Sequence, residues 1–96
     1  MEVCIHPAAI EEARAAVEWY RERSSRAAEW FFADLDKMIS RIARFPEQFP
    51  RGKFNTRRAV LHRFPYVVVF RPSHDFVEVI AVAHGRRKPS YWRERL

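Results

Sequence analysis

Glycine occurs twice in this chain, at Gly52 and Gly85, and cysteine once, at Cys4. Two isolated glycines cannot build a phosphate-cradling loop, which needs several of them a few residues apart. A single cysteine excludes an internal disulfide and any cysteine-only metal cluster. Its setting, Val3-Cys4-Ile5, reads as a small core residue. His6, His62, His74 and His84 stand at no metal-ligand spacing with one another or with Cys4, so no zinc site is expected. No Gly-x-Ser-x-Gly elbow occurs. No apolar run approaches the ~20 residues of a membrane span, and no basic-then-apolar leader opens the sequence. The expectation is a cytoplasmic protein that does without membrane, metal or cofactor.

What is present is aromatic bulk and an uneven charge. Aromatic residues make up 15% of the 96 positions, enough for a core of one small domain spanning residues 1–96. Residues 1–50 carry seven Lys/Arg against nine Asp/Glu, whereas residues 51–96 carry eleven against three. No acidic residue lies between Arg51 and His74. A half-molecule of this charge attracts polyanions or an acidic protein partner.

The hydrophobic pattern orders the elements. Met1–Ile5 alternates like a short strand, and His6-Pro7 ends it, with Pro7 suited to a first helical turn. From Ala8 to about Glu22, the apolar stripe Ile10, Ala13, Val17 and Tyr20 marks an amphipathic helix. Ser24-Ser25 offers an N-cap for a second helix, striped by Ala28, Phe31, Phe32, Leu35, Met38, Ile39 and Ile42 and ending near Arg44. So short a connection makes the helices an antiparallel hairpin. A loop broken by Pro46, Pro50 and Gly52 leads to three strand-like runs: Arg57–Phe64, Tyr66–Phe70 and Phe76–His84. The expected fold is α+β, in the order β-α-α-β-β-β. It is an antiparallel twisted sheet with an N-terminal strand and the helical hairpin packed on one face.

Two stretches are candidates for function. On the basic strand, period two places Arg58, Val60, His62 and Phe64 on one face and Arg57, Ala59, Leu61 and Arg63 on the other. Such a strand is either a charged edge that resists aggregation or a cationic wall for phosphates or carboxylates. The tail runs His84-Gly-Arg-Arg-Lys-Pro-Ser-Tyr-Trp-Arg. Pro89 bars regular ladder pairing there, and Tyr91 and Trp92 suit either a partner surface or packing on the body. Aromatics interleaved with arginine also fit RNA.

Arg63-Phe-Pro-Tyr66 and the run Ala81-Val-Ala-His84 through Arg86-Arg87-x-Pro89-x-Tyr91-Trp92-Arg93 resemble the ParE branch of the RelE/ParE toxin superfamily. So, more generally, do Glu18-Trp19-Tyr20 and the Phe-rich second helix. The resemblance implies the toxin of a type II toxin–antitoxin module, of the kind linked to plasmid stabilization, and a cognate acidic, ParD-like antitoxin. It implies one of two activities: inhibition of DNA gyrase by binding, or, as in the RelE branch, ribosome-dependent mRNA cleavage.

Under the first activity the target-binding residues are Arg86, Arg87, Tyr91, Trp92 and Arg93. Under the second, His62, His84, Arg58, Arg86 and Tyr91 would supply acid, base and charge. The basic strand offers arginine where a nuclease favours lysine, and arginine, with a pKa above about 12, is a poor proton acceptor. For the antitoxin, Trp30, Arg57, Arg58 and Arg63 are the expected contacts, with Trp19 a further exposed aromatic.

Overall fold

The computed structural model describes all 96 residues. Strand β1 (Glu2–Ile5) runs into helix α1 (Pro7–Arg21), whose first turn is capped by His6: its Nδ1 accepts from the Ala8 N–H at 3.0 Å. Helix α2 (Ser25–Arg44) begins at Ser24, whose hydroxyl accepts from the Ala27 N–H, and Arg41 and Arg44 sit in its last turn where the helix dipole favours cations. Strands β2 (Arg57–Val60), β3 (Tyr66–Pro72) and β4 (Phe76–His84) follow, and the sheet order is β1-β4-β3-β2. The three C-terminal strands pair antiparallel, while β1 lies parallel to β4, from Glu2 opposite Phe76 to Ile5 opposite Val79. The Val-rich runs are the two central strands, as expected of strands covered on both faces.

The helical hairpin covers one face. Phe31, Leu35, Met38 and Ile42 from α2 and Ala9 and Ala16 from α1 bury against Ala59, Leu61, Val68, Phe70, Val77, Val79 and Val82. Phe31 is fully buried and meets Tyr20, Phe64 and Tyr66 ring to ring at 5.0–5.3 Å. A bulge lies at the centre of the sheet. Val69 pairs with Ala81 but Phe70 with Val79, so Ile80 is an extra residue in β4. The bulge reverses the parity of the strand. Val77, Val79 and Val82 face the helices, whereas Ile80, Ala81 and Ala83 face the other way.

Several expectations are corrected. The basic strand stops at Val60, so His62, Arg63 and Phe64 lie in a turn whose backbone folds back through Tyr66 N–H to Phe64 carbonyl at 2.8 Å. Phe64 therefore packs beside Ala59 and Leu61 on the helix side, not with Arg58. Cys4 is exposed, because β1 is an edge strand and only Val3 reaches the core. Ile10 and Phe32 fall outside their stripes, at 41% and 62% exposure, since Ala9–Ala16 and Ala28–Phe31–Leu35 are the lines that meet the sheet.

Candidate functional site

The face of the sheet opposite the helices is covered from the two sides by chain that belongs to neither the α-helices nor the strands. From one side comes the loop Arg51–Thr56, bridged to β2 through Arg51 and Arg57. Thr56 is buried and anchors the loop by donating its hydroxyl to the Lys53 carbonyl at 2.6 Å. Phe54 and Asn55 both have φ of 60°. For a bulky side chain this region costs of order 1–3 kcal/mol. The strained conformation holds the Phe54 ring edge-on to Trp92 at 6.2 Å, with the Arg93 guanidinium 4.5 Å from its centroid.

From the other side comes the tail. Gly85 N–H donates to the Pro65 carbonyl at 2.7 Å, Arg87 N–H donates to the His84 carbonyl, and Arg86 N–H donates to His84 Nδ1 at 3.0 Å. The chain thus turns at once after β4 instead of extending, and Pro89 leads into a 3-10 helix, Tyr91–Arg95. Trp92 is buried against Val69, Ile80, Ala81 and Ala83.

A polar latch fixes this helix. Beyond Val79, β4 has no partner on its β1 side, because the chain leaves β1 for α1 at His6. Side chains take the missing strand's place: Glu12 Oε1 accepts from the Val82 N–H at 3.0 Å, and Arg95 donates to the Ile80 carbonyl at 3.1 Å. Arg95 also grips both oxygens of Glu12, at 2.8 and 2.9 Å, and the Tyr91 hydroxyl donates to Glu12 Oε2 at 2.5 Å. Burial alone would raise the Glu12 carboxyl, but hydrogen bonds from Arg95, Tyr91 and Val82 together outweigh it and hold the group below its ordinary value. Burial and the Glu12 carboxylate push the Tyr91 phenol far above its own.

Between loop and tail lies a cleft of about 290 Å³, floored by Val67, Val69 and Ala83. Arg51, Lys53, Arg58, Arg87 and Lys88 line it with His84, and no carboxylate does. Of the eleven basic residues in 51–96, only Arg63, Arg71 and Arg95 reach a carboxylate, which leaves eight without an ionic partner.

The predicted site residues are divided by this geometry. Arg58, His84 and Tyr91 line the cleft, whereas His62 and Arg86 do not. Arg86, Arg87 and Arg93 are exposed, and Arg87 stacks on Tyr91 with its guanidinium 3.9 Å from the ring centroid. Trp92 points inward and is part of the packing.

Trp30 and Asp34 of α2 form one patch with Arg63 of the turn after β2, through a 3.1 Å ion pair and an Arg63–Trp30 approach of 5.9 Å. Arg57 is tied instead to the carbonyl of Phe49 at 2.7 Å, and Arg58 opens onto the other face of the sheet, so these four do not share a surface. Trp19 is half exposed beneath the Arg23 guanidinium, at 3.5 Å. Glu12 and Arg95 are the participants that sequence reasoning missed. The available signal was position, because Glu12 lies three residues after Ala9 and four before Ala16, on the buried line of α1.

No three His, Cys, Asp or Glu side chains come together as a metal site requires, and no helix is long and apolar enough to cross a membrane. The solved structure of the chromosomal ParDE toxin–antitoxin system from P. aeruginosa contains a chain of the same fold. It superposes with a TM-score of 0.76 over 88% of this chain and 95% of that one, at 16% identity. Among curated proteins no sequence matches. Residues 3–89 match the family model of the ParE toxin of the type II toxin–antitoxin system parDE. The chain therefore belongs to the ParE toxin family.

Proposed function

We propose that this protein acts in the cytoplasm as a toxin that grips its target without cutting it, that the target is DNA gyrase, and that an acidic ParD-like antitoxin neutralises it. The observation that carries this reading is the set of eight basic side chains without ionic partners. Charge left uncompensated within the fold is available to a macromolecule, and it steers association from a distance. The same positive surface attracts an acidic antitoxin segment, which orders as it binds.

The endoribonuclease reading draws on Arg58, His84 and Tyr91 sharing one cleft. It is weakened by what those groups already do. Tyr91 gives its proton to a hydrogen bond with Glu12, and its raised pKa makes it a reluctant acid. His84 Nδ1 is occupied by the Arg86 N–H, and His62 lies outside the cleft.

Purified toxin added to gyrase and relaxed plasmid is expected to block supercoiling at micromolar concentration. Undiminished supercoiling, together with mRNA cleavage on ribosomes that His84→Ala abolishes, would reverse the choice.

A further inference from the structure

The cleft and the strained loop beside it have a chemistry that gripping a protein explains only in part. A protein-binding surface is usually depleted of lysine at its centre and places aromatics there. Here five cations and no carboxylate line the cleft, its own aromatics Tyr91 and Trp92 are tied up in the latch and the packing, and an exposed aromatic stands at the rim. Phe54 is 39% exposed, so core packing does not account for holding it at a φ of 60°. What the strain achieves is placement: a ring beside Lys53 at one wall of the cleft, braced by Trp92 and Arg93.

We infer that the cleft between the loop Arg51–Thr56 and the tail binds the phosphodiester backbone of a single DNA strand, with one base stacked on Phe54. Cations that track a backbone, next to an aromatic face for a base, are the recurring equipment of single-strand binding. Arginine and lysine together suit phosphate, with arginine giving forked hydrogen bonds and lysine a point charge. An acidic peptide would satisfy the cations but has no flat ring to lay on Phe54. The inference rests on the gyrase reading for its biological setting, since gyrase acts on DNA. It is measured without gyrase, so the two can fail separately.

The test is fluorescence anisotropy of the full chain with a labelled 12-nucleotide DNA. Each phosphate neutralised on a single strand contributes about −0.7 to the slope of log affinity against log salt. The double variant Arg58→Gln/Lys88→Gln is therefore expected to make that slope shallower by about 1.4 and to weaken binding at least tenfold. Arg26→Gln/Lys37→Gln removes the same charge from the exposed side of α2 and is expected to change affinity less than twofold. An equal loss in both would mean that net charge alone attracts the strand, and the inference falls.

Phe54→Ala leaves the charge intact and reads the stacking directly. It is expected to weaken the ordinary strand about tenfold and to leave an abasic strand of equal length unaffected. An equal effect on both overturns the role of Phe54. Tighter binding of the matching RNA strand, or of a 12-residue polyglutamate, overturns the assignment to DNA. If the cleft variants lose DNA but still block supercoiling, the cleft is not how gyrase is gripped. If DNA binds as described and gyrase is unaffected, the inference stands and the target must change.

Discussion

The two faces of one sheet are built by different means. Toward the helices, fourteen buried residues, from five elements and the segments that join them, interlock around Phe31, and the contacts are apolar throughout. Toward the tail, five buried residues suffice, most of them Val or Ala, and one tryptophan supplies the bulk. The deficit is offset by the latch of Glu12, Tyr91 and Arg95, whose side chains are no more than one-fifth exposed at the ion pair. The first face holds the fold together. The second holds a covering in place, and that covering forms a wall of the cationic cleft. This division lets the wall of the cleft shift without the core opening.

The largest effect that would separate the faces is on the helix side. Phe31→Ala removes a fully buried ring from a cluster of three other aromatics. A loss of about 3–5 kcal/mol is expected, a large part of the stability of a 96-residue domain. Urea unfolding followed by circular dichroism measures it. A loss below about 1 kcal/mol would mean that the helical face is not the main core.

Trp92→Ala is the counterpart on the tail side. Trp92 is also buried, at 7%, but its neighbours are few and lie at the end of the chain. About 2 kcal/mol is expected, expressed locally as undocking of the tail and not as global unfolding. Limited trypsin digestion should show faster cleavage after Arg86 and Arg87, with the urea midpoint falling less than for Phe31→Ala. If the midpoint falls equally, the two faces form one cooperative unit and the division is false.

How far the sequence reveals each face follows the same contrast. The helical hairpin is legible because Phe31, Leu35, Met38 and Ile42 recur at helical spacing, and periodicity reports which side is wet. The central strands are legible because Val67–Phe70 and Val77–Val82 are too apolar for an edge. The bulge at Ile80 is not legible. Alternation would have set Val77, Val79, Ala81 and Ala83 on one face, and a single extra residue moves the two alanines to the other. The end of β2 at Val60 was hidden for a related reason: the apolar alternation continues through Leu61, whose N–H still reaches the Tyr66 carbonyl at 3.0 Å, before the chain turns away.

In the candidate site, the cations were visible as charge, but their gathering around one cleft depends on where the loop and tail fold back. The inward turn of Trp92 could not be separated from an outward one by residue type alone. The latch joins Glu12 to Arg95 across most of the chain's length, and no local pattern encodes such a pair.

The smallest effect is the most diagnostic for the latch. Glu12→Gln keeps the shape and an acceptor for the Val82 N–H, but it removes the charge that Arg95 and Tyr91 share. A loss of about 1–2 kcal/mol is expected near neutral pH, seen as tail undocking in the trypsin assay. The pH dependence fixes its origin. The folded protein holds the Glu12 carboxyl below its ordinary value, so the unfolded chain, or the chain with its tail undocked, takes up a proton first as pH falls. The latch therefore contributes in full above the ordinary carboxyl range, and its contribution is lost as pH falls from there through the lowered folded value. Tail protection in the native protein should decline over that interval. In Glu12→Gln this component of the decline should be absent, because the glutamine has no proton to take up. A variant whose tail protection follows the native acid profile would place the titrating group elsewhere and leave Trp92 alone to hold the tail.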